Sequence, residues 1–252
     1  MPVQFAILVA VFIVSASLIG IVVLIASRRR AAQEDEFKRV ASARGWRFES
    51  ALEKGYRVHR WSGTTDGVQW IAESLRQSGG KKSRRRRQIA RWHGVWSPGI
   101  SGAIVAMGVS TDEEDLTTLA AGDGFIATLS KKVAGFAFDQ AIDAYFGDGP
   151  GKEVDAGALH RIVTKTPGFV IMSADKDEGT RVLQQGLERT LVEASQDKDS
   201  VLSAEDRPWI LLRPTAISIA RMERFRDVNE LESFTRAGVA LTRTSKFGRP
   251  IA

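Results

Sequence analysis

The chain contains no cysteine among its 252 residues and only three histidines, at His59, His93 and His160. Without cysteine the protein can form no disulfide and offers no thiolate for metal binding or nucleophilic catalysis. The histidines are scattered, and no carboxylate or third ligand is spaced to join them in a metal site. We therefore expect neither a metal nor a cofactor.

Charge is absent from residues 5–27, a run of 23 residues that ends at Arg28, Arg29 and Arg30. As a helix this run would span about 34 Å, slightly more than the hydrocarbon core of a bilayer, which is about 30 Å thick. No lysine or arginine precedes it, so the positive-inside rule places the N-terminus outside and the bulk of the chain in the cytoplasm. Residues 1–30 are thus predicted to be a transmembrane anchor with a basic flank. The expected location is the inner (plasma) membrane, with the lipid bilayer as partner.

A cleaved signal peptide is the competing interpretation of the same segment. Residues 14–16, Val-Ser-Ala, offer small side chains of the kind found at cleavage sites. A basic region before the apolar run is missing, however, and apolar sequence continues for about ten residues beyond Ala16. The sequence therefore favours an uncleaved anchor.

The net charge of +6 is unevenly distributed along the chain. Residues 31–97 contain 15 lysines and arginines against 7 acidic residues, whereas residues 98–252 contain 18 against 23. A basic half next to the anchor suits an anionic leaflet or a nucleic acid, although it says nothing about the fold.

Patterning in the first half predicts a helix followed by strands. Residues 31–44 have acidic residues in their first turns and end at Gly45, a residue suited to a left-handed stop. Alternation then begins at Trp46, and the strand-like runs are 56–62, 68–75, 89–97, 100–109 and 125–129. Five of the six tryptophans lie in residues 46–96, which favours an antiparallel β-meander packed on a helix. Residues 132–146 are predicted to form a buried helix.

Glycines and a proline at residues 147–151 predict a boundary between two subdomains, 31–146 and 152–252. Beyond it, residues 169–172 are strand-like, and Asp175 and Asp227 each begin a D-x-x-E capping pattern for a helix. Between those helices, residues 208–213 and 216–222 predict a hairpin. The distal half thus has the order β-α-β-β-α, and the predicted fold class is α+β.

Four predicted features follow one another along the chain. They are the transmembrane segment, the charged helix that ends in residues 44–49 (Arg-Gly-Trp-Arg-Phe-Glu), the β-meander, and residues 169–175 with the leucine-rich helix after them. In this pattern the chain resembles families of uncharacterised single-pass bacterial membrane proteins. The resemblance covers most of the chain as a pattern. It implies a cytoplasmic α+β domain behind an anchor, and no activity or site.

Six positive charges fall within seven residues at Lys81, Lys82, Arg84, Arg85, Arg86 and Arg87, which we call the basic loop. It is predicted either to contact anionic lipid headgroups or to be a solvated hairpin connection. Binding to a nucleic acid is a less favoured third interpretation, supported by aromatic residues beside arginines at 59–61 and 91–93.

Short motifs of enzymes and ligand sites match only in part. Ser101 lies in Gly-Ile-Ser-Gly-Ala, which lacks the last glycine of a nucleophile elbow. Residues 149–152 resemble a phosphate-binding loop, but Glu153 stands where serine or threonine is needed. Asp175 and Asp177 are explained by helix capping rather than by a calcium loop.

Three functions follow from the sequence, in decreasing order of preference. The first is a non-catalytic interaction or scaffold protein anchored in the membrane, in contact with anionic lipid through the basic loop and with a protein partner of unknown identity. The second is a membrane-tethered protein that binds nucleic acid. The third is an enzyme whose site no motif reveals, so the sequence leaves catalysis open while favouring its absence.

Overall fold

The computed structural model describes residues 2–77, 88–95, 99–108, 140–147, 154, 159–164, 166, 168–196, 201–202 and 208–244. It confirms the α+β class, with a large antiparallel sheet of nine strands and four helices. The chain divides into two compact units, Met1–Gly45 and Trp46–Ala252.

The first unit is one helix, α1 (Pro2–Ala43). A separate helix was expected over residues 31–44, but α1 continues through the three arginines without a break. Gly45 follows it with φ 69°, the left-handed stop that the sequence predicts. Among the residues whose side chains the structure also describes, no helix contains an apolar stretch that could span a bilayer. The predicted transmembrane anchor is therefore not shown.

The second unit contains all nine strands. In chain order they are β1 (Arg47–Glu53), β2 (Tyr56–Thr65), β3 (Val68–Gln77), β4 (Gln88–Val95), β5 (Ile104–Gly108), β6 (His160–Ile162), β7 (Phe169–Ser173), β8 (Trp209–Arg213) and β9 (Ala216–Arg221). Its helices are α2 (Lys176–Val182), α3 (Glu188–Gln196) and α4 (Val228–Thr244). Residues 140–146 form a further helical segment.

The strands are ordered β1-β2-β3-β4-β9-β8-β5-β7-β6 in one sheet. The meander β1–β4 and the hairpin β8–β9 confirm the sequence predictions, whereas β6 was missed because it is only three residues long. Pairing of β4 with β9 joins the predicted subdomains 31–146 and 152–252 in a common sheet. The division at residues 147–151 stays a prediction, and the strand predicted at 125–129 lies outside the described residues.

One side of the sheet, the tryptophan face, carries the buried side chains of Trp61, Trp70 and Trp92. Helix α4 packs on this face against β3, β4 and β9, and α2 packs on it against β6 and β7. Phe225 extends the aromatic packing, with its ring 5.7 Å from that of Trp61. Burial of several large aromatic rings against a helix supplies much of the driving force for this layer.

The opposite side, the groove face, carries Arg60, Glu73 and Arg91 on β2, β3 and β4, which the register places in one row. Further along the sheet this face has its own core, where Ile142 and Phe146 of the helical segment 140–146 pack over buried residues of the strands. The helix predicted over residues 132–146 is thus confirmed for 140–146, and the remainder lies outside the described residues.

The distal helices begin as their capping patterns predict. The side chain of Asp175 accepts hydrogen bonds from the backbone N–H groups of Asp177 and Glu178, at 2.9 and 3.0 Å. Asp227 accepts in the same way from Glu230 N–H at 2.9 Å. A π-helical turn, Leu183–Leu187, joins α2 to α3, and Gly186 within it has φ 135°, which explains why one smooth helix does not form.

Close packing of α4 on the sheet depends on glycine. An added Cβ at Gly238 would lie 2.4 Å from Cδ2 of Trp92, and one at Gly94 would lie 2.4 Å from Cη2 of the same ring. Trp92 is fully buried and therefore has no open side to move towards. The tryptophan ring thus fits between a strand glycine and a helix glycine.

We expect Gly238→Ala to lower the free energy of unfolding by about 1 to 3 kcal/mol, the usual cost of overpacking a core. Without the clash, alanine inside a helix would instead stabilise by up to about 1 kcal/mol. Chemical denaturation measures the change in the free energy of unfolding, and its sign therefore shows whether the clash with Trp92 or the helix propensity of alanine dominates. Adding Trp92→Phe to Gly238→Ala should lose less than the sum of the single losses, because the smaller ring makes room for the methyl group.

Candidate functional site

The basic residues singled out from the sequence are only partly described. Lys81, Lys82, Arg84, Arg85, Arg86 and Arg87 lie outside the described residues, between the end of β3 at Gln77 and the start of β4 at Gln88. Arg28 and Arg29 are exposed on α1, and the side chain of Arg30 is outside the described part. The role of the basic loop therefore stays a prediction.

Ser101 is held in a structural contact. Both oxygens of the Glu178 carboxylate accept from Ser101 N–H, at 2.9 and 3.0 Å, and Gly102 N–H donates to the same group at 3.1 Å. The Ser101 hydroxyl also donates to this carboxylate, at 3.2 to 3.3 Å. The contact fixes the loop before β5 to the start of α2.

The histidines do not converge. The register places His59 on the tryptophan face and His93 on the groove face, so the sheet separates the two rings. His160 is exposed on β6, the strand at the opposite end of the sheet from β1. Among the described residues, no group of three or more His, Asp or Glu side chains could hold a metal ion.

The aromatic residues that favoured a nucleic-acid surface are buried. Trp61 and Trp92 each have 0% of their surface exposed, so neither ring can stack on a base. Strand alternation explains the motif, because Arg60 and Arg91 project to the groove face while the tryptophans project to the opposite one. The sequence pattern therefore reflects a core rather than a stacking platform.

A groove of about 980 Å³ lies on the groove face, between β1–β4 and the helical segment 140–146. Its floor includes the apolar residues Val58, Leu75 and Ile89, which the register places side by side on three strands. Charged side chains, among them Arg60, Glu73, Arg91 and Asp143, line it as well. Sequence reasoning missed this groove, although alternation already placed the three apolar residues on the face opposite the tryptophans.

Arg60 is the centre of an ion-pair network at the groove. Its Nε donates to Glu73 Oε1 at 2.8 Å, and its Nη1 and Nη2 donate to the carboxylate of Glu53 at 3.3 and 3.4 Å. Glu49 approaches Nη1 at 3.9 Å. The hydrogen bond that Arg60 donates to Glu73 raises the pKa of Arg60 above its usual value. The guanidinium is thus committed to three glutamates on β1 and β3.

Arg91 fixes the helical segment 140–146 to the sheet. Its Nε donates to the backbone carbonyl of Tyr145, and its Nη2 donates to that of Ala144 at 3.1 Å. Cations at this position are favourable because the last carbonyls of a helix lack intrahelical donors. The aromatic ring of Tyr145 stacks on Trp209 of β8, with ring centroids 4.5 Å apart.

His93 forms a pair with Ser218 across the junction of β4 and β9. The imidazole Nδ1 lies 2.8 Å from Ser218 Oγ, and Ser218 is fully buried. Burial lowers the pKa of His93 to about 4, with further lowering by the positive charges of Arg91 and Arg213. His93 is therefore neutral at physiological pH. The pairing is visible only from the register of two strands about 125 positions apart in the chain.

Comparison with known proteins finds no matching family model, no similar curated protein and no matching solved structure. Function must therefore be argued from the chain itself. The described residues offer a groove whose arginines are already engaged, a serine bound by a carboxylate, and a histidine–serine pair enclosed in a sheet. These arrangements stabilise the domain and shape a surface, and we assign none of them a chemical step.

The His93 pair makes stability depend on pH. The pKa of His93 is about 4 in the folded protein and about 6.5 in the unfolded chain, so acid protonates the unfolded chain first. The stabilising contribution is complete above pH 6.5 and is lost as the pH falls towards 4. We expect the free energy of unfolding to drop by about 1 to 2 kcal/mol between pH 7.5 and pH 5 from this group alone.

His93→Gln is the matched variant, since glutamine can still accept a hydrogen bond from Ser218 but does not titrate. Its denaturation midpoint should change less between pH 7.5 and pH 5 than that of the wild-type protein. Equal pH dependence in both proteins would show that His93 does not carry the effect.

Proposed function

We propose that the protein is a non-catalytic interaction or scaffold protein anchored in the inner membrane by α1, with its sheet domain in the cytoplasm. The observation that carries this proposal is an apolar run on α1 that is exposed. Ile21, Val22, Val23, Leu24 and Ile25 have between 47% and 64% of their surface exposed.

Five consecutive helical residues cover more than a full turn, so this part of α1 is apolar and exposed on every side. A helix that is apolar all round is normally buried in a core or in a bilayer, because water solvates such a surface unfavourably. The uncharged run of residues 5–27 has the length that a bilayer requires. A bilayer is therefore the environment we propose for it.

The flanking charges support an orientation and a lipid contact. Exposed Arg28 and Arg29 follow the apolar residues on the same helix, where cytoplasmic positive charge is expected. The basic loop adds six positive charges, each worth up to about 1 kcal/mol near an anionic leaflet. We propose anionic lipid headgroups as its ligand. Nucleic acid is a weaker alternative, because Trp61 and Trp92 are buried and cannot serve as a stacking surface.

The orientation can be tested with reporter fusions after Ala252. A reporter that works only in the cytoplasm should be active, and one that works only in the periplasm should be inactive, because the arginine triplet keeps the following chain inside. Replacing Arg28, Arg29 and Arg30 by glutamine should reduce this preference. A periplasmic reporter that is active on the unaltered chain would refute the orientation and the proposed lipid contact together.

The basic loop can be tested with residues 31–252, once a cooperative melt shows that this product folds. Replacing its six basic residues by glutamine should leave the melting temperature nearly unchanged, since so highly charged a segment is expected to bury little. It should abolish the salt-sensitive part of binding to vesicles that contain anionic phospholipid.

Neutral vesicles and a single-stranded nucleic acid serve as controls at matched ionic strength. Preference for anionic vesicles over both supports the lipid contact. Tight nucleic-acid binding that weakens steeply with salt supports the alternative instead. Equal, weak binding to all three would show that the loop is only a solvated connection.

A further inference from the structure

β1 is the edge strand at one end of the sheet that the described residues form. All seven residues pair with β2 without a bulge, from Arg47 opposite Ser62 to Glu53 opposite Tyr56. Within the described chain, β2 is the only strand that pairs with it. Six of the seven residues are exposed, and Leu52 has 71% of its surface in solvent.

Edge strands expose backbone N–H and C=O groups on which another strand can pair. Proteins commonly protect such edges with proline, with a bulge or with charged side chains, lysine above all. β1 has no proline, lysine or bulge, and at seven residues it is longer than a typical strand. Its three charged residues, Arg47, Glu49 and Glu53, include both signs, so an antiparallel strand with the opposite charge pattern can pair with them. The free edge is therefore competent to receive a partner strand.

The sequence of β1, Arg-Phe-Glu-Ser-Ala-Leu-Glu, is complementary to itself in the antiparallel direction. If two copies meet with Ser50 opposite Ser50, Arg47 of each copy faces Glu53 of the other. Phe48 then faces Leu52, which shields the exposed leucine beside an aromatic ring. Opposite charges and apolar–aromatic pairs are the cross-strand neighbours that stabilise sheets.

Neighbouring registers lack this complementarity. Residues that face each other across a continuous sheet must project to the same face, so each residue can face only partners whose numbers differ from its own by an even amount. The nearest alternative registers are therefore centred on Glu49 and on Ala51. Centring the pair on Glu49 places Glu49 opposite itself, and centring it on Ala51 places Glu49 opposite Glu53. Both put like charges directly across from each other, which destabilises a sheet.

We infer that β1 pairs with β1 of a second copy about a two-fold axis at Ser50, so that one antiparallel sheet continues through a homodimer. The interface is isologous, as in most dimers, because the same strand contributes to both sides. This inference goes beyond the proposed function and does not depend on the anchor.

Charge exchange tests the pairing in the full-length protein in detergent. Arg47→Glu alone places glutamates opposite each other, and Glu53→Arg alone places arginines opposite each other. Each variant should raise the dissociation constant of the homodimer by about tenfold or more. An equimolar mixture of the two variants should recover the dimer, because a mixed pair restores both oppositely charged contacts. Sedimentation of each protein alone and of the mixture measures this.

A matched control uses the exposed pair Arg189 and Glu193 on α3, whose side chains are 79% and 72% exposed. Arg189→Glu and Glu193→Arg should leave dimerisation unchanged. Glu53 also contacts Arg60 within the chain, so the melting temperature of every variant is compared with that of the wild-type protein.

A cysteine at the proposed axis provides a second measurement that disturbs no charge. The chain has no cysteine of its own, so Ser50→Cys introduces a single thiol. A short bifunctional maleimide should link two copies at Ser50→Cys much faster than at Glu193→Cys. A monomeric wild-type protein at high micromolar concentration, or equal cross-linking at both positions, would rule out the pairing.

Discussion

The antiparallel pairing of β4 with β9 is the contact on which the rest of the second unit depends. It joins the meander β1–β4 to the five remaining strands, and it runs directly beneath Trp92. The ring of Trp92 fits only because Gly94 and Gly238 leave space on the strand and on α4. The same junction carries the His93–Ser218 hydrogen bond on its other face. The pairing of β4 with β9 thus fixes the sheet, the helix α4 that covers it and the groove face together.

The polar groups of the groove face are engaged in fixing neighbouring elements. Arg60 draws β1, β2 and β3 together through three glutamates, and Arg91 holds the end of the helical segment 140–146. The Glu178 carboxylate likewise holds the loop before β5, by accepting a hydrogen bond from Ser101 N–H. A charged group satisfied in this way contributes to a defined surface.

Local signals in the sequence were sufficient to predict much of the fold. The α+β class, the meander, the β8–β9 hairpin and the caps at Asp175 and Asp227 follow from alternation, turn residues and capping patterns. The sequence could not reveal the order of the strands, since β4 and β9 meet across more than 120 positions. Contacts between distant positions also account for the missed His93–Ser218 pair, for the carboxylate that holds Ser101 and for the helical segment that lines the groove. The short strand β6 carries too few residues for a periodic pattern.

Alkaline extraction of membranes tests the proposed anchoring of α1 in a bilayer. Carbonate releases peripheral proteins but leaves proteins held by a helix of about 20 apolar residues in the membrane. We expect the full-length chain to stay in the membrane pellet and residues 31–252 to be found in the supernatant. Release of the full-length chain by carbonate would contradict the proposed anchoring.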